Sequence, residues 1–251
     1  MKSLIGMLMA LAMGVMPIAS PGSSPQPVKE IQPLLTTKWG MGHQYAQLTP
    51  NQALLGCWAV AIAQILYYHR IQPTGTVEYE GPGYRIAESL GEHRFNWQLF
   101  ADSLTPSTSS EVCSEVARYC YFTAIAIGKT FPEGYQGNSD HRRAGIQKHF
   151  GVSSQAYSRA GSEAIRQAIL SELSQKRPLL LYIEGLQPGP KLGHALVIDG
   201  VRTVGDSFEV HLNCGWYGSE DGWYAFEQPI RTSRGLFDNP TRWVYAIRPN
   251  N

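Results

Sequence analysis

The stretch Leu55-Gly56-Cys57-Trp58-Ala59-Val60-Ala61-Ile62-Ala63-Gln64-Ile65-Leu66 decides how this chain is read. It is apolar almost all round, the pattern of a central, buried helix, and the helical pattern as a whole runs from Asn51 to Arg70. Cys57 sits at the mouth of the apolar part. A thiolate at a helix N-terminus is favoured by the positive end of the helix dipole and by unpaired backbone N–H groups. Gly56 keeps the approach to the sulfur open. A buried cysteine is also an ordinary small core residue, so a nucleophilic Cys57 needs partners elsewhere in the chain.

The first partner is a base that can later protonate a leaving amine, which in practice means histidine. Of the seven histidines, His69 lies on the same helix, about 18 Å along the axis, and cannot reach the sulfur. His43, His93, His141 and His149 fall in polar, irregular stretches and read as surface residues. His194 follows Gly193 and opens the strand Ala195–Ile198. If Asp199 and Phe208 close a hairpin, His194 faces Asn213 across the strands. Asn213 would then accept from Nδ1 and leave Nε2 toward the sulfur. His211, on the same strand face as Asn213, is the competing base; it lacks a glycine approach and ranks second.

Composition narrows the class. The 251 residues can bury a substantial core, and 21 basic against 20 acidic residues argue against nucleic acid or an anionic membrane as partner. Twenty-five Gly and 16 Pro suit a loop-rich α+β protein better than a helical bundle. Residues 1–20 read as a signal peptide: Lys2, then an apolar run from Leu4 to Met16, then Pro17-Ile18-Ala19-Ser20. The run is too short for a comfortable membrane span. Residues 21–30 read as a linker and 31–251 as one domain, secreted or periplasmic, without a membrane partner after cleavage. Cys113 and Cys120, seven residues apart on one helix, are too far apart to bridge, so no disulfide framework is evident. The His and Cys spacings match no zinc pattern, and no metal or cofactor is expected.

Secondary structure follows the same order, helices first and antiparallel strands later. Residues 71–100 look irregular, with Phe95-Asn96-Trp97 as an anchor. Helices are expected from Ser110 to Ala126, with Ser110 as N-cap, from His141 to Phe150, and from Ser162 to Gln175, with a Gly-rich loop over 128–140. Strands are expected at 179–183, 195–198, 208–212, 223–226 and 243–247. This is an α+β architecture of two subdomains with a cleft between them.

The order Cys57, His194, Asn213 is that of papain-like peptidases. The chain resembles the streptopain-type cysteine peptidases through an ordered set of motifs spanning residues 33–227. The set begins with Leu34-Leu35-Thr36-Thr37-Lys38-Trp39, Gly56-Cys57 and Ala63-Gln64-Ile65-Leu66-Tyr67-Tyr68-His69. Phe95-Asn96-Trp97, Gly193-His194-Ala195-Leu196-Val197-Ile198-Asp199-Gly200 and His211-Leu212-Asn213 continue it. Gly215-Trp216, Gly218 and Asp221-Gly222-Trp223-Tyr224 complete it. The resemblance implies a papain-like fold, a helical subdomain packed on an antiparallel sheet subdomain, and a monomeric endopeptidase acting on proteins or peptides through an acyl-enzyme. It implies Cys57 as nucleophile, His194 as acid/base, Asn213 as orienting residue and Trp216 beside them.

Three departures qualify what the resemblance implies. Met41 stands where the family has an oxyanion-donating Gln, a loss worth on the order of 10²–10³ in rate; Gln44 or Gln47 could substitute from the same loop. Cys214 stands where the family has a Trp beside the histidine, which implies a looser ring. At most about fifteen residues separate the signal peptide from the first motif, where the family carries a long propeptide; the expectation is then an enzyme held by a separate proteinaceous inhibitor, a weakly active one, or a protein that is not proteolytic. The alternative is a catalytically impaired homologue that serves as a binding module, and a further rival is thiol acyl-transfer of another kind.

Overall fold

The computed structural model describes residues 30–132, 134–157, 162–186 and 192–250. The expected signal peptide and nearly all of the expected linker lie outside the described residues. At Glu30 the chain is already in a sheet: β1 (Glu30–Ile31) pairs with Arg202 and Val201.

The central helix begins later than its apolar pattern. Asn51 and Gln52 adopt left-handed φ of 52° and 54°, and Thr49 donates its hydroxyl to the carbonyls of Ala46 and Ala53, which locks a tight turn. The backbone N–H of Leu55 then donates to the Met41 carbonyl at 2.9 Å, drawing 53–56 into extended conformation. Gly56 (φ 85°, ψ 153°) makes the final turn, and α1 runs Cys57–Tyr68. Cys57 is therefore the first helical residue, with the backbone of Gly56 bent away from it.

Residues 76–89, expected to be irregular, form the hairpin β2 (Thr76–Gly81) and β3 (Tyr84–Ser89) about a Pro82-Gly83 turn, with Gly83 at φ 76°. Phe95 is buried, as an anchor should be. Helix α2 (Ser110–Ala126) is capped by Ser109, whose hydroxyl accepts from Val112 N, one residue before the expected cap. Helix α3 (Ser139–Phe150) starts two residues before the expected position because Asn138 caps the N–H groups of Asp140 and His141; Gly151 (φ 60°) ends it. Strand β4 (Val152–Ala156), which carries little apolar alternation, follows directly, and then α4 (Ser162–Ser174).

The remaining strands are β5 (Leu179–Gly185), β6 (Leu192–Val204), β7 (Ser207–Asn213), β8 (Gly222–Ala225), the small hairpin β9 (Ile230–Thr232) and β10 (Gly235–Phe237), and β11 (Trp243–Pro249). The main sheet has the order β4-β11-β5-β6-β7-β8, with β1 also on β6 and every pairing antiparallel. Alternation along the strands sends Leu180, Ala195 and Val197 into the core shared with α1 and α2. Leu179, Leu181, Ile183, Leu196 and Ile198 go into a second core under α4. The fold is α+β, with helices α1 and α2 on one face of the antiparallel sheet and α4 on the other.

The β6–β7 register departs from the expected one. The hairpin turns at Gly205-Asp206, between Val204 and Ser207, with a bulge at Asp199, so Asn213 pairs with Val197 and not with His194. The turn is two residues long rather than eight, because the strand pattern continues through the polar residues Arg202 and Thr203. His194 instead lies opposite Ile183 of β5.

Candidate active site

Cys57 at the start of α1 and His194 near the start of β6 line one cavity of about 890 Å³. Each is there for a local reason. Gly56 ends the extended segment so that Cys57 opens the helix, and Gly193 lets β6 pass the Tyr182 hydroxyl, which any side chain at 193 would overlap. Trp58, the next helical residue, packs against Tyr182 and Tyr245, and the Arg142 guanidinium covers its ring at 4.3 Å.

His194 is 5% exposed, and its Nε2 lies 2.8 Å from the backbone carbonyl oxygen of Cys214. A carbonyl only accepts, so Nε2 carries the proton and Nδ1 is the basic nitrogen of the neutral ring. This reverses the expected tautomer. The indole of Trp216 stacks on the imidazole at 4.2 Å and 25°, and Phe237 of β10 lies at 6.2 Å. The ring is clamped, contrary to the loosening expected from Cys214. The reason is that the residue at 214 holds the histidine through its backbone, which every amino acid supplies. The Cys214 side chain turns away, its Sγ on the Glu220 carbonyl and its N–H donating to Asp221.

Asn213 makes its hydrogen bonds elsewhere than to His194. Its Nδ2 donates to the Thr37 carbonyl at 2.6 Å, and its Oδ1 accepts from Gln64 Nε2 at 2.9 Å and from Gly215 N at 3.2 Å. Gln64, fully buried on α1, accepts in turn from the Thr37 hydroxyl and Trp39 N. Asn213 thus ties the sheet to α1 and to the segment that carries Met41, two turns of helix away from the sulfur. His211, the competing base, donates or accepts at Nδ1 with Asp199 at 2.7 Å and lines a separate cavity with Asn213. His149, expected at the surface, is buried and bonds the Thr74 carbonyl.

Electrostatics define the resting pair. Burial pushes the Cys57 thiol up; the backbone N–H groups of Ala195, Trp58 and Cys57 itself, and the Arg142 charge, act against it without overcoming it. Burial also pushes His194 down to about 4; the bond to Cys214 resists this and the Arg234 charge adds to it. Both groups are neutral near pH 7.

Met41 lines the cavity. Of the substitutes considered for its missing donor, neither Gln44 nor Gln47 lines the cavity; Gln52 does, because the left-handed turn at 51–52 carries it there. Sequence reasoning also missed Tyr135, Tyr182 and Arg234, cavity residues on three separate segments. Only for Tyr135 was there a signal, its place within the Gly-rich loop. The four cysteines are free, Cys113, Cys120 and Cys214 buried and Cys57 half-buried. Among the described residues no cluster of His, Cys, Asp or Glu could hold a metal ion.

A cysteine opening a buried helix, facing a clamped histidine across a cleft between helices and an antiparallel sheet, defines the papain-like class of cysteine peptidase folds. The chain belongs to the peptidase C10 family, whose model matches residues 39–224. It is 27% identical over 235 residues to streptopain of Streptococcus pyogenes, covering 80% of this chain and 56% of streptopain. It is 23% identical over 256 residues to the thiol protease/hemagglutinin PrtT of Porphyromonas gingivalis, covering 84% of this chain and 28% of that protein. The chain therefore spans about half the length of streptopain. Active wild-type interpain A, a cysteine protease of Prevotella intermedia, matches with a TM-score of 0.75 at 25% identity, over 89% of this chain and 98% of that one. A prointerpain A fragment from the same organism gives 0.71 at 24% identity, over 90% and 76%.

Proposed function

We propose that this protein is a secreted or periplasmic cysteine endopeptidase in which Cys57 is the nucleophile and His194 the acid/base. The observation that carries the reading is the shared cavity, with Nε2 of His194 committed to the Cys214 carbonyl and Nδ1 left as the base. Because the resting pair is neutral, the thiol proton passes to Nδ1 as Sγ adds to the substrate carbonyl carbon. The carbonyl π pair moves onto oxygen, where the Cys57 N–H at the head of α1 receives it. The imidazolium then protonates the departing amine, and water enters to release the acyl group. Protein or peptide substrates fit the cavity, whose wall is largely apolar around Met41, Leu54, Leu192 and Phe237.

Secretion is supported by residues 1–20, and among the described residues no helix is long and apolar enough to cross a membrane. The binding-module reading draws on one observation, Met41 among the residues that line the cavity, since a thioether cannot donate a hydrogen bond. Cleavage of unfolded casein separates the two. Wild type is expected to degrade it and Cys57→Ala to leave it intact; casein untouched by wild type supports the binding module.

A further inference from the structure

Among the described residues, four buried side-chain nitrogen or oxygen atoms have no hydrogen-bond partner, and two of them, Tyr135 Oη and Trp216 Nε1, belong to residues lining the Cys57 cavity. A buried donor without an acceptor is costly to keep, so its concentration at one site calls for a ligand atom that arrives later. Trp216 is already occupied in clamping His194. Tyr135 has no such task.

The placement of its hydroxyl is specific. Oη lies so close to the Gly56 backbone that a Cβ built there would stand 2.5 Å from it. The backbone N–H groups of Trp58 and Ala59 in the first turn of α1 are its polar neighbours, and no hydrogen-bond partner is in place for the hydroxyl. Two cations lie near its ring, Arg142 at 5.0 Å and Lys129 at 5.5 Å from the centroid.

We infer that the Tyr135 hydroxyl donates to the oxyanion that forms when the Cys57 sulfur adds to a substrate carbonyl, beside the Cys57 backbone N–H. The inference rests on the cysteine-peptidase reading. In the step, the S–C bond forms, the π pair moves to oxygen, the thiol proton goes to His194, and the tyrosine keeps its own proton while hydrogen-bonding the new charge. Met41 cannot donate there. Gln52 also lines the cavity, but it is exposed to solvent. A dry, preorganised donor stabilises developing charge far more than a solvated one. Burial and the neighbouring Cys57 hold the phenol well above the usual tyrosine range, so it remains a donor throughout any working pH.

Tyr135→Phe, which removes one oxygen, tests this. It is expected to lower kcat on a peptide substrate about 10²-fold with KM changed less than about twofold. The affinity of a peptide aldehyde, which forms a tetrahedral hemithioacetal on Cys57, should fall by a similar factor. Alkylation of Cys57 by iodoacetamide passes through no oxyanion, so its rate and pH dependence should stay the same. The thermal midpoint should hold or rise, because the hydroxyl has no partner to lose. An unchanged kcat, a rise in KM alone, an altered pH dependence of alkylation, or undiminished aldehyde binding each overturns the inference. A wild-type protein that cleaves no peptide contradicts the peptidase reading instead, and the aldehyde comparison still decides the role of the hydroxyl.

Discussion

The Nε2 atom of His194 donates to the backbone carbonyl of Cys214 at 2.8 Å, and the side chain of Cys214 takes no part in that bond. The histidine is oriented by main chain, so the residue type at 214 is free to vary for catalysis. Cys214→Ala should keep kcat/KM within about threefold and lose about 1 kcal/mol of stability from the vacated core position. Steady-state kinetics beside a urea titration measures both.

The low His194 value sets two pH dependences. Below about pH 4 the ring is protonated and cannot accept the Cys57 proton, so the acid limb of kcat/KM should fall near pH 4 and not near 6.5. The stability effect has the same sign over a wider window. A folded value held below the unfolded one means that the unfolded chain binds more protons between pH 6.5 and about 4. Stability is then full above pH 6.5 and is lost as pH falls through that window, by on the order of 3 kcal/mol. Denaturant midpoints at pH 7.5, 6, 5 and 4 would show the decline, and His194→Gln should flatten it.

Asn213 is a structural tie in this molecule. Asn213→Ala removes the bonds to Thr37 and Gln64 and leaves buried groups unpaired, at a cost of about 2–3 kcal/mol. Its kinetic effect should come through displacement of the Trp39–Met41 segment, with kcat reduced and the acid limb unmoved. A shift of that limb toward pH 6.5 would show instead that Asn213 tunes His194.

Gly56 is required twice over. At φ 85° an L-residue is strained, and a Cβ would crowd the Tyr135 hydroxyl. Gly56→Ala should cost about 1–3 kcal/mol and lower kcat/KM at least tenfold, because relief of the clash moves either the Cys57 backbone or Tyr135. A crystal structure of the variant together with its kinetics tests this.

Much of this site was legible from local chemistry. Gly56-Cys57 before an apolar run marks a helix start, and Gly193-His194 before Ala195–Ile198 marks a strand start, since both signals lie within a few residues. What failed was anything depending on turn length. A hairpin closed by Asp199 and Phe208 without a bulge sets His194 against Asn213, whereas β6 runs on through Arg202 and Thr203 to Val204 and bulges at Asp199, which moves the register by three residues. The carbonyl of Cys214 could not be found by reading side chains, because the group that bonds is common to all residues. Tyr135 and Gln52 reach the cavity only through a Gly-rich loop and a left-handed turn. The β2–β3 hairpin has a readable signal, Pro82-Gly83 between two alternating runs, set within a longer stretch, 71–100, whose Gly, Pro and aromatic content reads as irregular.

The most direct test of Cys57 and His194 is rapid acid quench of wild type and His194→Ala during turnover of an ester-activated peptide, followed by mass analysis of the Cys57 peptide. An acyl adduct on Cys57 that forms and decays at the rate of product release, and forms at least about 10²-fold more slowly in His194→Ala, is the expected result. Product released at the wild-type rate with no adduct on Cys57, or by a Cys57→Ala variant, would contradict it.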